Sequence, residues 1–550
     1  MTRTQETITE ADGGSRRPVV LLFSTLMVVM LLASLSQTVL SAALPTIVGE
    51  LHGVDQMMWV ITAFMLASTI MMPIYGKISD LVGRKPILIA AISIFLVGSI
   101  IGGVAPDMPT LIIGRIVQGL GGGGLMILSQ AAIADVVPAR ERGKYMGIMG
   151  GVFAVSSVAG PLLGGWLTEG PGWRWTFWIN VPLGVLAIVA TVVLLRLPTV
   201  AAATRPKVDY VGMALLALAT TALILLGTWG GSLYAWVSPQ IIGLAAAVVI
   251  AGALFVWVES RVAEPIMPLA LFKDLNFNIT TIAGLLVSIA MFGAIGYLPT
   301  YFQMAVGASA TEAGFLMIPM MAALLLTSIV TGSLVSKTGR YKYLPISGSA
   351  VLAVGLGLLA TVSTATPTYM ICVYLGIMGI GLGASMQILM LIVQNSFPHR
   401  MVGTATAGSN YFRQVGGSLG SAVVGSVFAT RLSTLIAERL PAGSGPSDGS
   451  SSLTPELVQT LPAGVRRLVV ESYNEALIPI FIFMVPLAVI SAVLLLFVRE
   501  VPLATKITRE GDTGQIAQAV LDTGTGSIGT VPMGTHSDEP DGRPDGDRAQ

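Results

Sequence analysis

Long apolar runs constrain this chain more than any other feature. They fall at about 18–47, 57–79, 86–106, 109–134, 143–168, 173–197, 209–230, 239–260, 275–303, 311–336, 342–363, 367–395, 404–430 and 476–499. A helix rises about 1.5 Å per residue, so about 20 apolar residues cross a hydrocarbon layer roughly 30 Å thick. Inside lipid every backbone N–H and C=O needs an internal partner, so each run is expected to be a helix. The sequence therefore predicts an all-α polytopic membrane protein of about fourteen spans. Charge content agrees: only 11% of residues are charged, against about 25% in soluble domains. A net charge of +1 provides no basic field for nucleic acid. One cysteine, Cys372, excludes a disulfide within the chain. The first run outlasts the h-region of a signal peptide and is followed by no small-residue cleavage site, so it is expected to stay as the first span.

Loop charges orient the spans. With the N-terminus inside, the inner loops carry Lys77, Arg84, Lys85; Arg140, Arg142, Lys144; Arg196, Arg205, Lys207; Arg261, Lys273; Lys337, Arg340, Lys342; and Arg400. The short outer loops carry Arg174 alone. This is the positive-inside pattern, and it holds to the end of the chain, which predicts an even number of spans with both termini inside. The long outer segment 431–475 breaks the bias, as long translocated loops do. Within it, 441–453 reads as flexible loop and 454–475 as an amphipathic helix lying on the outer membrane surface. The tail 501–550, rich in Gly, Asp, Thr and Pro, reads as disordered, and 1–17 as a polar inner tail.

Five strings carry chemistry. After span 2 comes Gly76-Lys-Ile-Ser-Asp80-Leu-Val-Gly83-Arg84-Lys85-Pro86, read as a tight loop. Its Asp80 can pair with cations or with a neighbouring helix N-terminus. A weaker copy, Gly332-Ser-Leu-Val-Ser-Lys337-Thr-Gly339-Arg340-Tyr-Lys342, follows span 10 in matching register. That marks an internal repeat. Span 4 holds Arg115-Ile-Val-Gln118-Gly119-Leu-Gly121-Gly-Gly-Gly124. An arginine inside a span is costly and signals function, unless it snorkels to the outer surface. Span 5 holds Gly160-Pro161-Leu-Leu-Gly164-Gly165, a kink flanked by close-packing glycines. Span 13 holds Phe412-Arg413-Gln414-Val-Gly416-Gly417, with a second intramembrane cation.

On these residues the chain resembles the major facilitator superfamily. The Gly76–Pro86 string is similar to its signature between the second and third helices, and the Arg115–Gly124 string to its fourth-helix motif. The Gly160–Gly165 string is similar to the motif the family associates with antiporters. Trp173-Arg174-Trp175-Thr-Phe177-Trp178-Ile-Asn180-Val-Pro182-Leu-Gly184 resembles the branch of fourteen-helix drug:proton antiporters. So do Pro138–Gly143, Leu298–Gln303 and Phe412–Gly417; the resemblance covers about residues 20–500. It implies a six-helix bundle at 18–200, two extra helices and an inner linker at 201–274, and a second bundle at 275–500. It further implies alternating access across a bacterial cytoplasmic membrane, a small lipophilic and in part cationic substrate, protons as the coupling ion, and a functional monomer. Arg115, Asp80, Arg84, Asp135, Arg413, Gly160 and Pro161 are then the coupling and gating candidates. Met58, Trp59, Phe64, Met65, Gln37, Tyr297, Tyr301, Phe302, Gln303 and Gln414 are candidates for a substrate cavity or for plain helix packing.

The chain departs from that branch in one respect. Where its first helix carries an acid, this chain has Ser36, between Leu35 and Gln37-Thr38. No carboxylate lies deep in any span, so Asp55, Asp135 and Glu312 remain as proton carriers, each also readable as a helix-end residue. Export of a lipid, peptide or endogenous metabolite, with different or no proton coupling, is the second reading. An enzyme is not expected. His52, His399 and His536 form no zinc-protease motif, and no phosphate-binding Gly-rich loop is present. Gly416-Gly-Ser418-Leu-Gly420 lies within a span, without the strand-turn-helix that a hydrolase needs. No cofactor or metal is expected.

Overall fold

The computed structural model describes residues 16–53, 56–195, 208–231, 233–439, 458 and 461–505. The expectations for most of the N-terminal tail, for Asp55, for the flexible loop 441–453 and for most of the tail 501–550 lie outside the described residues.

Among the described residues fourteen apolar helices account for the runs. They are α1 (Arg16–Glu50), α2 (Met57–Val82), α3 (Arg84–Gly103), α4 (Met108–Val136), α5 (Ala139–Glu169), α6 (Asn180–Leu194), α7 (Tyr210–Trp229), α8 (Pro239–Glu259), α9 (Leu275–Ile295), α10 (Ile318–Thr338), α11 (Tyr343–Leu359), α12 (Thr368–Ser396), α13 (Val402–Arg439) and α14 (Ile480–Leu496). A helical turn at Trp175–Trp178 lengthens α6 into a 20-residue span. Side-chain caps fix several starts. Asp107 accepts from the Thr110 N–H, Asp209 from Gly212, and Asp274 from Phe277, at 2.7–2.9 Å. Each satisfies a backbone donor that the first turn leaves free.

The packing repeats. In the first half α3 lies on α4, α2 on α4, α1 on α5, and α6 on α1 and α3. In the second half α11 lies on α12, α10 on α12, α9 on α13, and α14 on α9 and α11. Adding eight to each helix number of the first half gives the second, so the repeat seen in the two loop strings extends to whole bundles. Two seams join the halves: α5 against α10, and α2 against α13. The inserted α7 touches both α2 and α13, and α8 packs on α7. Much of α8 is exposed apolar surface, including Ile242, Val249, Ile250 and Trp257. Such a face suits lipid.

Four local expectations change. Asp80 is not in a loop but in the last turn of α2, because nothing stops that helix before Gly83, whose φ of +100° a side-chain-bearing residue rarely adopts. The run 275–303 does not continue as one helix. It breaks after Ile295 into Leu298–Tyr301 and a π turn at Phe302–Val306, next to Gly296 and Pro299. The run from 476 is split by Pro479 between the helix Ala463–Leu477 and α14. Finally, Ala463–Leu477 does not expose its apolar face to lipid headgroups: Val469, Tyr473, Ala476 and Leu477 are buried in the core of the second half, with Tyr301 and Phe428.

Candidate functional site

At one end of the molecule α2, α4, α10 and α12 finish while α3, α5, α11 and α13 begin. The hydrogen bonds between the halves gather there. Asp80 accepts from the backbone N–H of Gly403 (3.2 Å) and Thr404 (2.7 Å) and from the Thr404 hydroxyl (2.6 Å), at the first turn of α13. A carboxylate at a helix N-terminus meets both free donors and the positive end of the helix dipole. Arg84 holds Asp80 from behind at 2.9 Å and reaches Asp135 with Nε at 2.8 Å. The side chains of Arg84, Asp80 and Asp135 are at most 10% exposed. His399 approaches the other oxygen of Asp135 at 3.4 Å. Thus Asp80, Arg84 and Asp135 form one buried cluster spanning α2, α3 and α4, and Asp80 carries it across to the second half.

The other seam closes differently. Arg140, in the first turn of α5, donates to the carbonyls of Ser336 (3.1 Å) and Lys337 (3.0 Å) at the end of α10. Next to it the backbones touch: a Cβ placed on Gly332 would lie 2.1 Å from the Gly143 carbonyl oxygen. Only glycine permits that approach.

Arg115 does not snorkel outward. It is 2% exposed, one of the largest fully buried side chains among the described residues. Its Nε donates to the Val60 carbonyl (3.0 Å), Nη1 donates to Gln118 Oε1 (2.6 Å), and the guanidinium lies 4.2 Å over the Phe64 ring. Gln118 donates in turn to Ser36 Oγ (3.0 Å) and Ser99 Oγ (2.9 Å). Ser36, standing where the branch carries an acid, is therefore two hydrogen bonds from Arg115.

Arg413 anchors a second network. It donates to Asn410 Oδ1. Asn410 Nδ2 donates across the halves to Gln130 Oε1 (2.9 Å), and Gln394 Nε2 lies 3.3–3.4 Å from Thr406 Oγ1 and the Gln130 carbonyl. Asn410, Gln130 and Gln394 are buried, while Arg413 and Gln414 are half-buried.

The remaining candidates are scattered. Gly160 sits against α1, where a Cβ would fall 2.0 Å from Thr38 Oγ1; Pro161 beside it is exposed. Phe64, Tyr301 and Phe302 are buried in packing, and the Tyr301 hydroxyl donates to Asn474 Oδ1 at 2.7 Å. Tyr297 is half-buried and donates to the Ser421 carbonyl at 3.0 Å. Trp59, Met65 and Gln303 are half-buried, and Met58 is exposed. Gln37 is an exposed amide well inside the longest stretch of α1. Glu312 closes a capping box with Ser309, ahead of α10. A crevice of about 420 Å³ between α11 and α14 has aliphatic walls throughout, so it lacks the polar groups that orient a ligand.

Sequence reasoning did not pick out Gln118, Gln130, Gln394, Asn410 or Thr404 as parts of these networks. For the four carboxamides the signal was available: a carboxamide within a span needs a partner, and each of these found one. It also missed the stapling of α1 by the Trp173–Arg174 string. Trp173 Nε1 (2.7 Å) and Arg174 Nη1 (2.6 Å) both donate to Glu50, and Trp173 is buried.

Comparison with known proteins agrees with this architecture. The model of the Major Facilitator Superfamily matches residues 26–421. An uncharacterized MFS-type transporter of Mycobacterium tuberculosis is 40% identical over 485 residues, 88% of this chain and 70% of that protein. The multidrug transporter protein MdtP of Bacillus subtilis is 37% identical over 421 residues, 76% of this chain and 77% of that protein. Among solved structures, the proton:xylose symporter XylE aligns with a TM-score of 0.55 at 16% identity, over 88% of this chain and 96% of that one, a likeness of fold alone.

Proposed function

Because the chain belongs to the major facilitator superfamily, and is therefore a multi-pass membrane transporter of small molecules rather than an enzyme, we propose that it exports lipophilic drugs or other toxic compounds across the cytoplasmic membrane. The two bundles rock about the membrane centre, exposing the space between them to one side at a time. The Asp80–Arg84–Asp135 cluster and the Arg140 contacts hold the loop-bearing end shut in the state described above. Opening that end separates Asp80 from the first turn of α13 and admits substrate from the cytoplasm. The proton-motive force supplies the energy, and the protein works as a monomer.

The observation that carries this reading is the closure of one end by charge and glycine contacts at seams between bundles that repeat each other's packing. Repeated halves joined at a releasable end support alternating access better than a fixed pore. A multidrug relative at 37% identity supports the substrate class. The test is dye retention in cells expressing the chain, with a panel of fluorescent lipophilic dyes of both charges. Lower retention that a protonophore restores is the expected result, and Asp80→Asn should abolish it. Equal retention with and without well-inserted protein would contradict the reading.

A further inference from the structure

The charges inside the spans are all of one sign. Away from the helix ends, the fourteen helices contain three formal charges, Arg115, Arg413 and Arg431, and no Asp or Glu; Arg431 lies just past the apolar run 404–430 and donates to the Glu475 carbonyl. None of the ion pairs among the described residues includes Arg115 or Arg413. Both guanidiniums are met instead by neutral acceptors: Val60 and Gln118 for Arg115, Asn410 for Arg413. A membrane-embedded cation is normally paired with an anion or marks a ligand path.

The two sites differ in access. Arg115 is sealed within the first half. Arg413 is half-buried, as is Gln414 beside it. It follows the start of α13 at Val402 by 11 residues, about 16 Å along the helix at about 1.5 Å per residue, and lies well inside the apolar run 404–430. Asn410 Nδ2 is held by Gln130 Oε1 of the other half and by the Thr406 carbonyl one turn back on α13, both at 2.9 Å. The acceptor offered to Arg413 is thus a positioned neutral amide on its own helix, tied to the other half by a contact to Gln130 that must change when the halves move.

We propose that Arg413, with Asn410 and Gln414, is an anion-binding subsite, and that the substrates are organic anions carrying a carboxylate or sulfonate on an apolar body. The substrate's anionic head supplies the counter-charge that the protein omits. Lipophilic cations meet the uncompensated positive charge of Arg413 and are disfavoured in the low dielectric of the membrane interior. The energetics follow from the same charge. An anion leaving an inside-negative cell moves down the electrical part of the proton-motive force. Its export needs no carboxylate to carry a proton, which accounts for Ser36 at the position where the branch has an acid. This inference rests on the exporter reading and names its substrate class.

The test uses the full chain in proteoliposomes loaded with carboxyfluorescein as the anion or rhodamine 6G as the cation, under a valinomycin-set potassium potential. Carboxyfluorescein efflux should exceed that from protein-free vesicles at least tenfold and rise with inside-negative potential, with rhodamine 6G near background. Arg413→Gln should lower the anion flux at least tenfold, and Arg413→Lys should keep much of it. Asn410→Asp, which builds in a carboxylate, should lose the anion and gain the cation, a reversal that a merely structural role would not produce. Rhodamine 6G efflux without carboxyfluorescein efflux would overturn the inference and leave the exporter reading standing. So would an anion flux indifferent to both Arg413→Gln and Asn410→Asp in protein of native elution profile. Neither dye moving would overturn both.

Discussion

The two seams between the halves face the same geometric problem and solve it with opposite charges. In each, the C-terminal end of one helix meets the N-terminal end of another: α2 with α13, and α10 with α5. At the first seam an anion, Asp80 on the C-terminal side, reaches into the donors that begin α13. At the second a cation, Arg140 on the N-terminal side, reaches into the carbonyls that end α10. Each charge suits the helix end it addresses, because the N-terminus is positive and the C-terminus negative. The repeat makes the swap visible: Ser336 stands in the second copy where Asp80 stands in the first. A duplicated loop that loses its acid can keep its closure if the partner helix supplies a base. The first seam adds a buried cluster through Arg84 and Asp135 and is covered by α7. The second relies on backbone contact between Gly143 and Gly332.

This contrast ranks the consequences of breaking each seam. Asp80→Ala should have the largest effect. It leaves Arg84 and the first turn of α13 without their shared anion, and removing one partner of a buried pair costs about 3–5 kcal/mol. Transport in vesicles should fall at least a hundredfold, with the loop-bearing end standing open to thiol reagents. Gly332→Val comes next. Its side chain meets backbone, which cannot swing aside, and overpacking of this kind costs about 1–3 kcal/mol. Transport should drop roughly tenfold, again with increased labelling at that end. Arg140→Ala should be smallest, since a half-buried cation at a helix C-terminus contributes at most about 2 kcal/mol. A two- to fivefold reduction is expected, and Arg140→Lys should recover part of it. If Arg140→Ala proved as damaging as Asp80→Ala, the seams would be equivalent and the contrast would fail.

Much of this was legible in the chain before any coordinates. Span positions follow from hydropathy, which lipid enforces on every helix. Gly76–Pro86 and Gly332–Lys342 revealed the repeat by spacing alone. Helix ends were less legible where a proline or glycine falls inside an apolar run, as at Pro299 and Pro479, because composition does not register a change of direction. Partners were the least legible. Asp80 finds Thr404 at a separation of 324 positions, and Gln130 finds Asn410 at 280. No local pattern encodes such pairs; they arise when the bundles close. Phe64, Tyr301 and Phe302 show the opposite case, where a residue type suited to ligand contact is equally suited to packing and only burial distinguishes the two roles.

The most direct test of the closure is a distance. With Cys372→Ser as background, spin labels at Val82 and Arg400, both exposed, flank the Asp80 contact. The account predicts a narrow short-distance population in the otherwise native chain and a shift to a longer, broader one in Asp80→Asn. An unchanged short distance in Asp80→Asn would contradict it, and the α2–α13 seam would then have to be held by packing alone.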